Sequence, residues 1–289
     1  MRIVLSPNPY RDKGLKVVQN AERILRQAGA ETCMCFPFEL ERENVEVPSH
    51  LRFLPEEEAF QGAELLVCFG GDGTILHAAK DAQRHGVPVL GVNLGSVGFM
   101  AELESDQLSL LEKLVQGKYR TEERMMLDVA VRREGRTIFR DLALNDAVIT
   151  KGAVARIIDL EVKADGVSVG RFAGDGVIVS TPTGSTAYAM SAGGPIMEPT
   201  VENILVTPIC PHALHARSFV LDGRRSVAVR MGRQSRKTAY LSVDGGRAFH
   251  LGGGDQVELH RSKSRARLVR LTNRSFYTVV NQKLGGHDR

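Results

Sequence analysis

No run of the sequence approaches the roughly twenty consecutive apolar residues that a membrane-spanning helix needs. The amino-terminal residues Met1-Arg2-Ile3-Val4-Leu5-Ser6 hold too short an apolar stretch for the core of a secretory signal. The expectation is a cytoplasmic protein with no membrane partner. Cysteine is scarce: Cys33, Cys35, Cys68 and Cys210 are the whole complement. Cys33 and Cys35 fall two apart on one face of a strand, without the spacing or partners of a zinc site, so no metal site is expected. They read as small apolar strand residues in a reducing compartment. Net charge is low, a formal +4, which does not argue for a nucleic-acid partner. Its distribution is uneven, with acid-free basic stretches at 224–237 and 261–274. In the second, Arg261, Lys263, Arg265 and Arg267 share one strand face and read as a solvated outer surface. A Walker A sequence is absent, because Gly117-Lys118-Tyr119 lacks both the Ser/Thr and the upstream glycine. The dinucleotide fingerprint, internal repeats and low-complexity segments are missing too.

What is present is a globular composition, 43% hydrophobic and 25% charged over 289 residues, enough for a sizeable core in one or two domains. The chain is organised around Cys68-Phe69-Gly70-Gly71-Asp72-Gly73-Thr74. An apolar run, Leu65-Leu66-Val67, predicts a buried strand before it, and Ile75-Leu76-His77-Ala78-Ala79 predicts a helix after it. Glycine admits positive φ and close approach to the backbone, and a turn into a helix exposes N–H groups that suit phosphate. Asp72 does not suit phosphate. Either it caps the helix, or it addresses a hydroxyl beside the phosphate cradle.

The first part of the chain alternates strand and helix. Ile3-Val4-Leu5 predicts a strand, and the spacing of Leu15, Val18, Ala21, Ile24, Leu25 and Ala28 predicts a helix closed by Gly29. Glu31 to Phe36 reads as a strand, 39–60 as irregular connection, Ile75 to His85 as a helix and Val87 to Val92 as a strand. This pattern points to a parallel sheet covered by helices, with sites at the carboxyl ends of strands. A helix on Leu108, Leu111, Leu114 and Val115 ends at Gly117. Beyond it the apolar/polar period becomes two, over Arg124–Arg133, Thr137–Thr150, Ile157–Ala164, Val167–Val179, Ser226–Met231, Thr238–Val243, Gln256–His260 and Ala266–Leu271. Turn signals such as Glu134-Gly135, Asp165-Gly166 and Asp244-Gly245 separate several of them. The fold class expected is an α/β domain, residues 1–120, followed by an all-β, sandwich-like domain, residues 121–270. The tail, 271–289, is expected to return to the first domain.

Three further clusters carry polar groups where strands end. Gly91 to Met100 repeats the strand-then-glycine pattern, and Phe99 offers a stacking face or a core aromatic. Asn145-Asp146 interrupts an apolar strand, which costs stability unless both find partners. Gly174-Asp175-Gly176 leads through Val177-Ile178-Val179 into Ser180-Thr181-Pro182-Thr183-Gly184-Ser185-Thr186-Ala187-Tyr188, a dense set of small hydroxyls closed by a ring.

These pieces together resemble the NAD kinase family. Gly70-Gly71-Asp72-Gly73-Thr74, Asn93 to Phe99, Asn145-Asp146 and Asp175 to Tyr188 match in order and approximate spacing. The glycine turn alone also resembles lipid kinases and phosphofructokinases; the Thr-Pro-Thr-Gly-Ser-Thr-Ala-Tyr segment is specific. The resemblance implies transfer of the γ-phosphoryl of ATP or another nucleoside triphosphate, with Mg²⁺, to the 2′-hydroxyl of the adenosine ribose of NAD. Asp72 is then the general base. Gly70, Gly71 and Thr74, with Asp244, belong to the phosphate and donor region. Gly73 is among the NAD-binding residues, and Asn145 and Asp146 lie by the ribose and diphosphate. Thr183, Thr186, Ala187 and Tyr188 surround adenine with Phe99 near its face, and Asp175 and Ser191 address the nicotinamide end. A loop like Thr207-Pro208-Ile209-Cys210-Pro211 completes a neighbouring subunit's pocket in the family, so a homodimer or homotetramer is implied. Asp146 departs from the family's usual Glu by one methylene. Two other readings share parts of the pattern. A diacylglycerol- or sphingoid-type lipid kinase requires an apolar or basic membrane-facing patch, and a catalytically silent NADP(H) sensor requires loss of the carboxylate at the glycine turn.

Overall fold

The first apolar runs of the chain do become strands. In the computed structural model, which describes residues 1–38, 47–96, 98–152, 157–213, 216–232 and 238–285, β1 (Arg2–Pro7) is followed by α1 (Lys16–Gln27) and β2 (Glu31–Met34). Helix α1 buries Val18, Ala21 and Leu25, and both carboxylate oxygens of Asp12 accept N–H groups from its first turn, Val17 and Val18, at 3.0 Å. A short α2 (Glu56–Phe60) then forms inside the stretch that reads as irregular, its first turn made of three glutamates that suit a helix amino terminus. Residues 39–46 of that stretch lie outside the described residues.

Strand β3 (Leu65–Gly70) is buried at all six positions and leads directly into α3 (Asp72–Arg84), then β4 (Val89–Asn93), a two-residue β5 (Leu103–Glu104) and α4 (Glu112–Val115). The strands pair in parallel in the order β2-β1-β3-β4. This α/β unit comprises Met1–Glu123 together with Ala266–Arg289. Helix α3 lies close on the sheet because β4 carries Gly91, where a Cβ would stand 2.6 Å from Ile75 Cδ1. The helix begins at Asp72, three residues before the apolar periodicity starts, so Asp72 is its first residue and not its cap.

The second unit, Arg124–Arg265, is antiparallel. It follows the alternating pattern through β6 (Arg120–Arg133), β7 (Arg136–Ala143), β8 (Asp146–Lys151), β9 (Ile158–Ala164), β10 (Val167–Gly174) and β11 (Gly176–Ser180). The runs 137–150 and 167–179 each split in two, at Leu144-Asn145 and at Asp175, where a polar residue replaces the apolar one that continuity needs. After α5 (Tyr188–Ser191) come β12 (Asn203–Ile209), β13 (Phe219–Asp222), β14 (Val227–Met231), β15 (Ala239–Val243), β16 (Phe249–Leu251) and the long β17 (Gln256–Arg270). Strands β12, β13 and β16 fall outside the runs that alternation picks out. β17 joins the runs 256–260 and 266–271 through Arg261–Arg265, consistent with Arg261, Lys263, Arg265 and Arg267 sharing one strand face. One sheet runs β13-β12-β11-β8-β15-β16, and a second layer contains β10-β9-β14 with the start of β17. A single cluster including Leu127, Ile149, Leu160, Val177, Val229 and Leu241 lies between them, as in a sandwich.

The tail rejoins the first unit as α6 (Phe276–Leu284), which Ser275 caps by accepting from Tyr277 N–H. Glu102, 2% exposed, holds the approach to it. One of its oxygens accepts from Leu271 N, Thr272 N and Thr272 Oγ1 at 2.9, 2.6 and 2.7 Å, and the other faces Arg270 at 3.3 Å. Replacing it strands buried donors and part of an ion pair. Glu102→Ala should therefore lower stability by about 3 kcal/mol, measured by urea unfolding; an unchanged midpoint would contradict this anchoring role.

Candidate active site

Asp72 sits where a strand ends and a helix begins, and its carboxylate is held from outside the helix. Oδ2 accepts from Phe99 N at 2.9 Å and Oδ1 from Met100 N at 3.1 Å. Gly98 permits this seat: a Cβ there would lie 2.3 Å from Asp72 Oδ1. The side chain is still 33% exposed, so an acidic group is fixed in direction yet open to a partner. Lys283 of α6 places Nζ 3.9 Å from Asp72 Oδ2 and 4.4 Å from the centre of the Phe99 ring. Phe276 packs on the same ring at 6.3 Å between centroids. Phe99 is thus partly engaged by α6.

The glycines around Asp72 earn their place differently from expectation. None of Gly70, Gly71 and Gly73 has positive φ. Gly70 is required by packing, since a Cβ would stand 2.5 Å from Thr74 Oγ1. A Cβ at Gly71 or Gly73 would meet nothing within 4 Å, so there the missing side chain leaves the helix amino terminus open to approach. Thr74 is buried, and its hydroxyl accepts from Asn8 Nδ2 at 2.8 Å. Asn93 closes the neighbouring strand end by donating to Gly95 O and to Glu104 Oε2. Val97, inside the second glycine cluster, lies outside the described residues.

In the second unit, one carboxylate gathers the Asn145-Asp146 turn. Asp244 Oδ2 accepts from Leu144 N at 2.8 Å, and Oδ1 from Asn145 N at 2.8 Å and Asp146 N at 3.0 Å. Asp244 itself stands at φ +52° in the Asp244-Gly245 turn after β15. Thr181 ties the hydroxyl-rich segment to the same turn, donating from its hydroxyl to Leu144 O at 2.6 Å and from its N–H to Asn145 O at 2.9 Å. Gly184 is obligatory, because a Cβ would lie 2.1 Å from Asn145 O. The result is a rigid double turn carrying Asn145, whose buried Oδ1 has no protein partner.

Asp146 is buried beside a second carboxylate, and burial, with the Asp244 charge adding, pushes its pKa up to about 7. Thr183 is buried with its hydroxyl 3.3 Å from Arg124 Nη1, while Ser185 bridges Pro182 O and Met197 N. Thr186 and Ala187 are half-buried, and Tyr188 and Ser191 are exposed at α5. Asp175 pairs with Lys151 at 2.6 Å. Within the expected subunit loop Thr207–Pro211, Cys210 is exposed at φ +43°, while Thr207–Ile209 belong to β12.

Thus Asn145, Asp146, Asp244, Thr183 and Gly184 come together in one unit. Asp72, the glycines, Thr74 and Phe99 come together in the other. Sequence reasoning missed Asn8, Lys283, Arg124 and Thr181 as members of these sites. Asn8 and Lys283 belong to no motif, and their signal exists only once β1, β3 and α6 are in place. The basic stretches are engaged with acids: Arg224 with Asp222, Arg225 with Asp165, and Arg261 and Arg265 with Glu202. Residues 233–237 of the first stretch lie outside the described residues. Cys33, Cys35, Cys68 and Cys210 are free thiols, Cys35 and Cys68 buried, Cys33 half-buried and Cys210 exposed.

Asp146 also yields a pH dependence. In an unfolded chain an Asp titrates near 3.9, whereas the folded value is about 7. The folded state holds that proton more tightly, so the carboxyl's stabilising contribution is complete below about pH 4 and is lost as pH rises through about 7. Asp146→Asn, which cannot ionise, should gain on wild type between pH 5 and pH 8 by on the order of a few kcal/mol, read as Tm against pH. A difference that stays constant across that range would contradict the assignment.

Comparison with known proteins fits both units. The ATP-NAD kinase N-terminal domain model matches residues 8–119, and the ATP-NAD kinase C-terminal domain model matches 144–271. An NAD kinase of Acetivibrio thermocellus is 37% identical over 285 residues, covering 98% of this chain and 97% of that protein. One of Symbiobacterium thermophilum is 48% identical over 233 residues, 80% of this chain and 82% of that protein. Among solved structures, yeast NADH kinase complexed with NADH superposes with a TM-score of 0.85 at 27% identity, covering 100% of this chain and 89% of that one. An NAD kinase from Archaeoglobus fulgidus in complex with ATP gives 0.76 at 26% identity, with 99% of each chain covered. With family models spanning most of both units and full-length relatives well above 30% identity, this chain belongs to the NAD kinase family.

Proposed function

We propose that this kinase moves the γ-phosphoryl group of ATP to the 2′-hydroxyl of the adenosine ribose of NAD, giving NADP and ADP. The observation that carries the reading is the Asp72 carboxylate. It is fixed by two backbone N–H groups, remains partly exposed, and stands at a glycine turn in a chain alignable over its length with NAD kinases. NADH and ATP, the molecules bound in the two related structures, belong to the substrate classes this reaction needs.

A neutral sugar hydroxyl is a weak nucleophile, and phosphoryl transfer is governed by positioning and charge neutralisation. Asp72 orients the 2′-hydroxyl and takes its proton as the oxygen–phosphorus bond forms and the bond to ADP breaks. Its two N–H partners keep the carboxylate aimed. The open backbone at Gly71 and Gly73 receives phosphate, with Gly70 and Thr74 holding the turn behind it. Asn145 offers its unpartnered Oδ1 to the ribose region, beside Asp146, and Thr183, Thr186, Ala187 and Tyr188 hold adenine. Asp175 and Ser191 serve the nicotinamide end. Asp244, proposed for the phosphate and donor region, also fixes the Leu144–Asp146 backbone through three N–H groups. Among the described residues no cluster of three or more His, Cys, Asp or Glu could hold a metal ion. Mg²⁺ is proposed to arrive on the triphosphate, whose oxygens and water suit it as ligands. Bound there, it neutralises phosphate charge. Self-association through the Thr207–Pro211 segment is proposed as well, supported by the exposed, strained turn at Cys210. The four unpaired thiols suit the cytoplasm as its location.

Purified protein with Mg-ATP and NAD should form NADP, followed with an NADP-specific dehydrogenase. Phosphorylation of a long-chain diacylglycerol without NADP formation would favour a lipid kinase, and binding of NADPH without turnover a sensor. Asp72→Asn should bind NAD almost normally and lose turnover by at least roughly 100-fold. Unchanged turnover in that variant would remove Asp72 from the role of base.

A further inference from the structure

Phosphoryl transfer asks for two opposed things at one spot: a carboxylate to take a proton and positive charge to meet the phosphate. A carboxylate beside a triphosphate repels it, and N–H groups at a helix amino terminus supply only partial charge. The arginines that reach the Met100 loop and α6 are already engaged: Arg270, which reaches Met100 O, faces Glu102 and Glu122, and Arg274, which reaches Gln282, faces Glu104.

Lys283 is placed differently. Its Nζ lies 3.9 Å from Asp72 Oδ2, beyond hydrogen-bond length, and 4.4 Å above Phe99, with the side chain 30% exposed. The helix that brings it there is fixed by its Ser275 cap and by Phe276 against Phe99. Arg274 steadies it further, reaching both Glu104 and Gln282.

We propose that Lys283 is a substrate-binding residue of the phosphoryl-transfer site, its ammonium group meeting the transferred phosphate from a seat between Asp72 and Phe99. The inference rests on the NAD kinase reading given above. The looseness of the Asp72 contact suits this role. A closely hydrogen-bonded pair would hold the cation on the carboxylate, whereas a lysine on a four-carbon stem at 3.9 Å can turn to a phosphate oxygen. The face of Phe99 keeps the cation over the site in either position. No bond to Lys283 forms or breaks, and it keeps its proton throughout.

Lys283→Met and Lys283→Arg test it, with kinetics in Mg-ATP and NAD, calorimetric titration with Mg-ATP, and Tm. Lys283→Met should lower kcat/KM for Mg-ATP by roughly 10- to 100-fold, the usual loss on removing a charged hydrogen-bond partner. Calorimetry should show weaker Mg-ATP binding, while KM for NAD stays within about twofold. Lys283→Arg should recover most of the loss because it keeps the charge. Wild-type kcat/KM and Mg-ATP affinity in Lys283→Met would overturn the inference. So would equal losses in both variants with a lowered Tm, which mark a packing role. Absence of NADP formation by the wild-type protein is a separate failure, of the kinase reading itself, and this inference falls with it.

Discussion

Two backbone N–H groups, those of Phe99 and Met100, hold the carboxylate of Asp72, and the first unit is arranged to make that possible. A side-chain acid at a helix start would otherwise turn back to cap its own helix. Here the capping position is glycine, the acid is the first helical residue, and its oxygens are drawn across to the next strand's loop. The parallel pairing of β3 with β4 sets that loop beside the turn, and Gly98 removes the one side chain that would occupy the same space.

The same device recurs. Asp12 holds the start of α1, Asp244 holds three consecutive N–H groups at the Asn145-Asp146 turn, and Glu102 holds the backbone that leads into α6. Each of these acids accepts from backbone donors that would otherwise be left unpaired, a penalty of roughly 1–3 kcal/mol apiece. Asp146 is the exception. It has burial and a like charge nearby without such donors, and its raised pKa is the consequence. Polar atoms left without partners, such as Asn145 Oδ1, mark places where a substrate can supply what the protein does not.

The sequence was legible where a residue's job is local. The buried strand before Gly70, the amphipathic spacing of α1 and the alternation of β6, β9, β14 and β15 all follow from side-chain period. The site was legible as motifs, because strand ends rich in Gly, Ser, Thr and Asp are unusual places for such residues. What stayed hidden depends on partners distant in the chain. Gly70, Gly98 and Gly184 are demanded by Thr74, Asp72 and Asn145, not by their own φ. Asp244 reads as a donor-side acid, and its bonds to backbone groups about a hundred positions earlier show only once β15 pairs with β8. Strands β12, β13 and β16 take their shape from neighbours on both sides and show little period of their own. Lys283 belongs to no motif at all, since only the return of α6 to the first unit brings it to Asp72.

The central claim is that Asp72 faces a ribose hydroxyl. The position of the new phosphate tests this most directly, by ³¹P NMR of the product formed from ATP and NAD. The account predicts one new monoester signal assignable to the adenosine 2′-position beside an intact diphosphate pair. A monoester at the 3′-position or on the nicotinamide ribose, or a cleaved diphosphate, would contradict it.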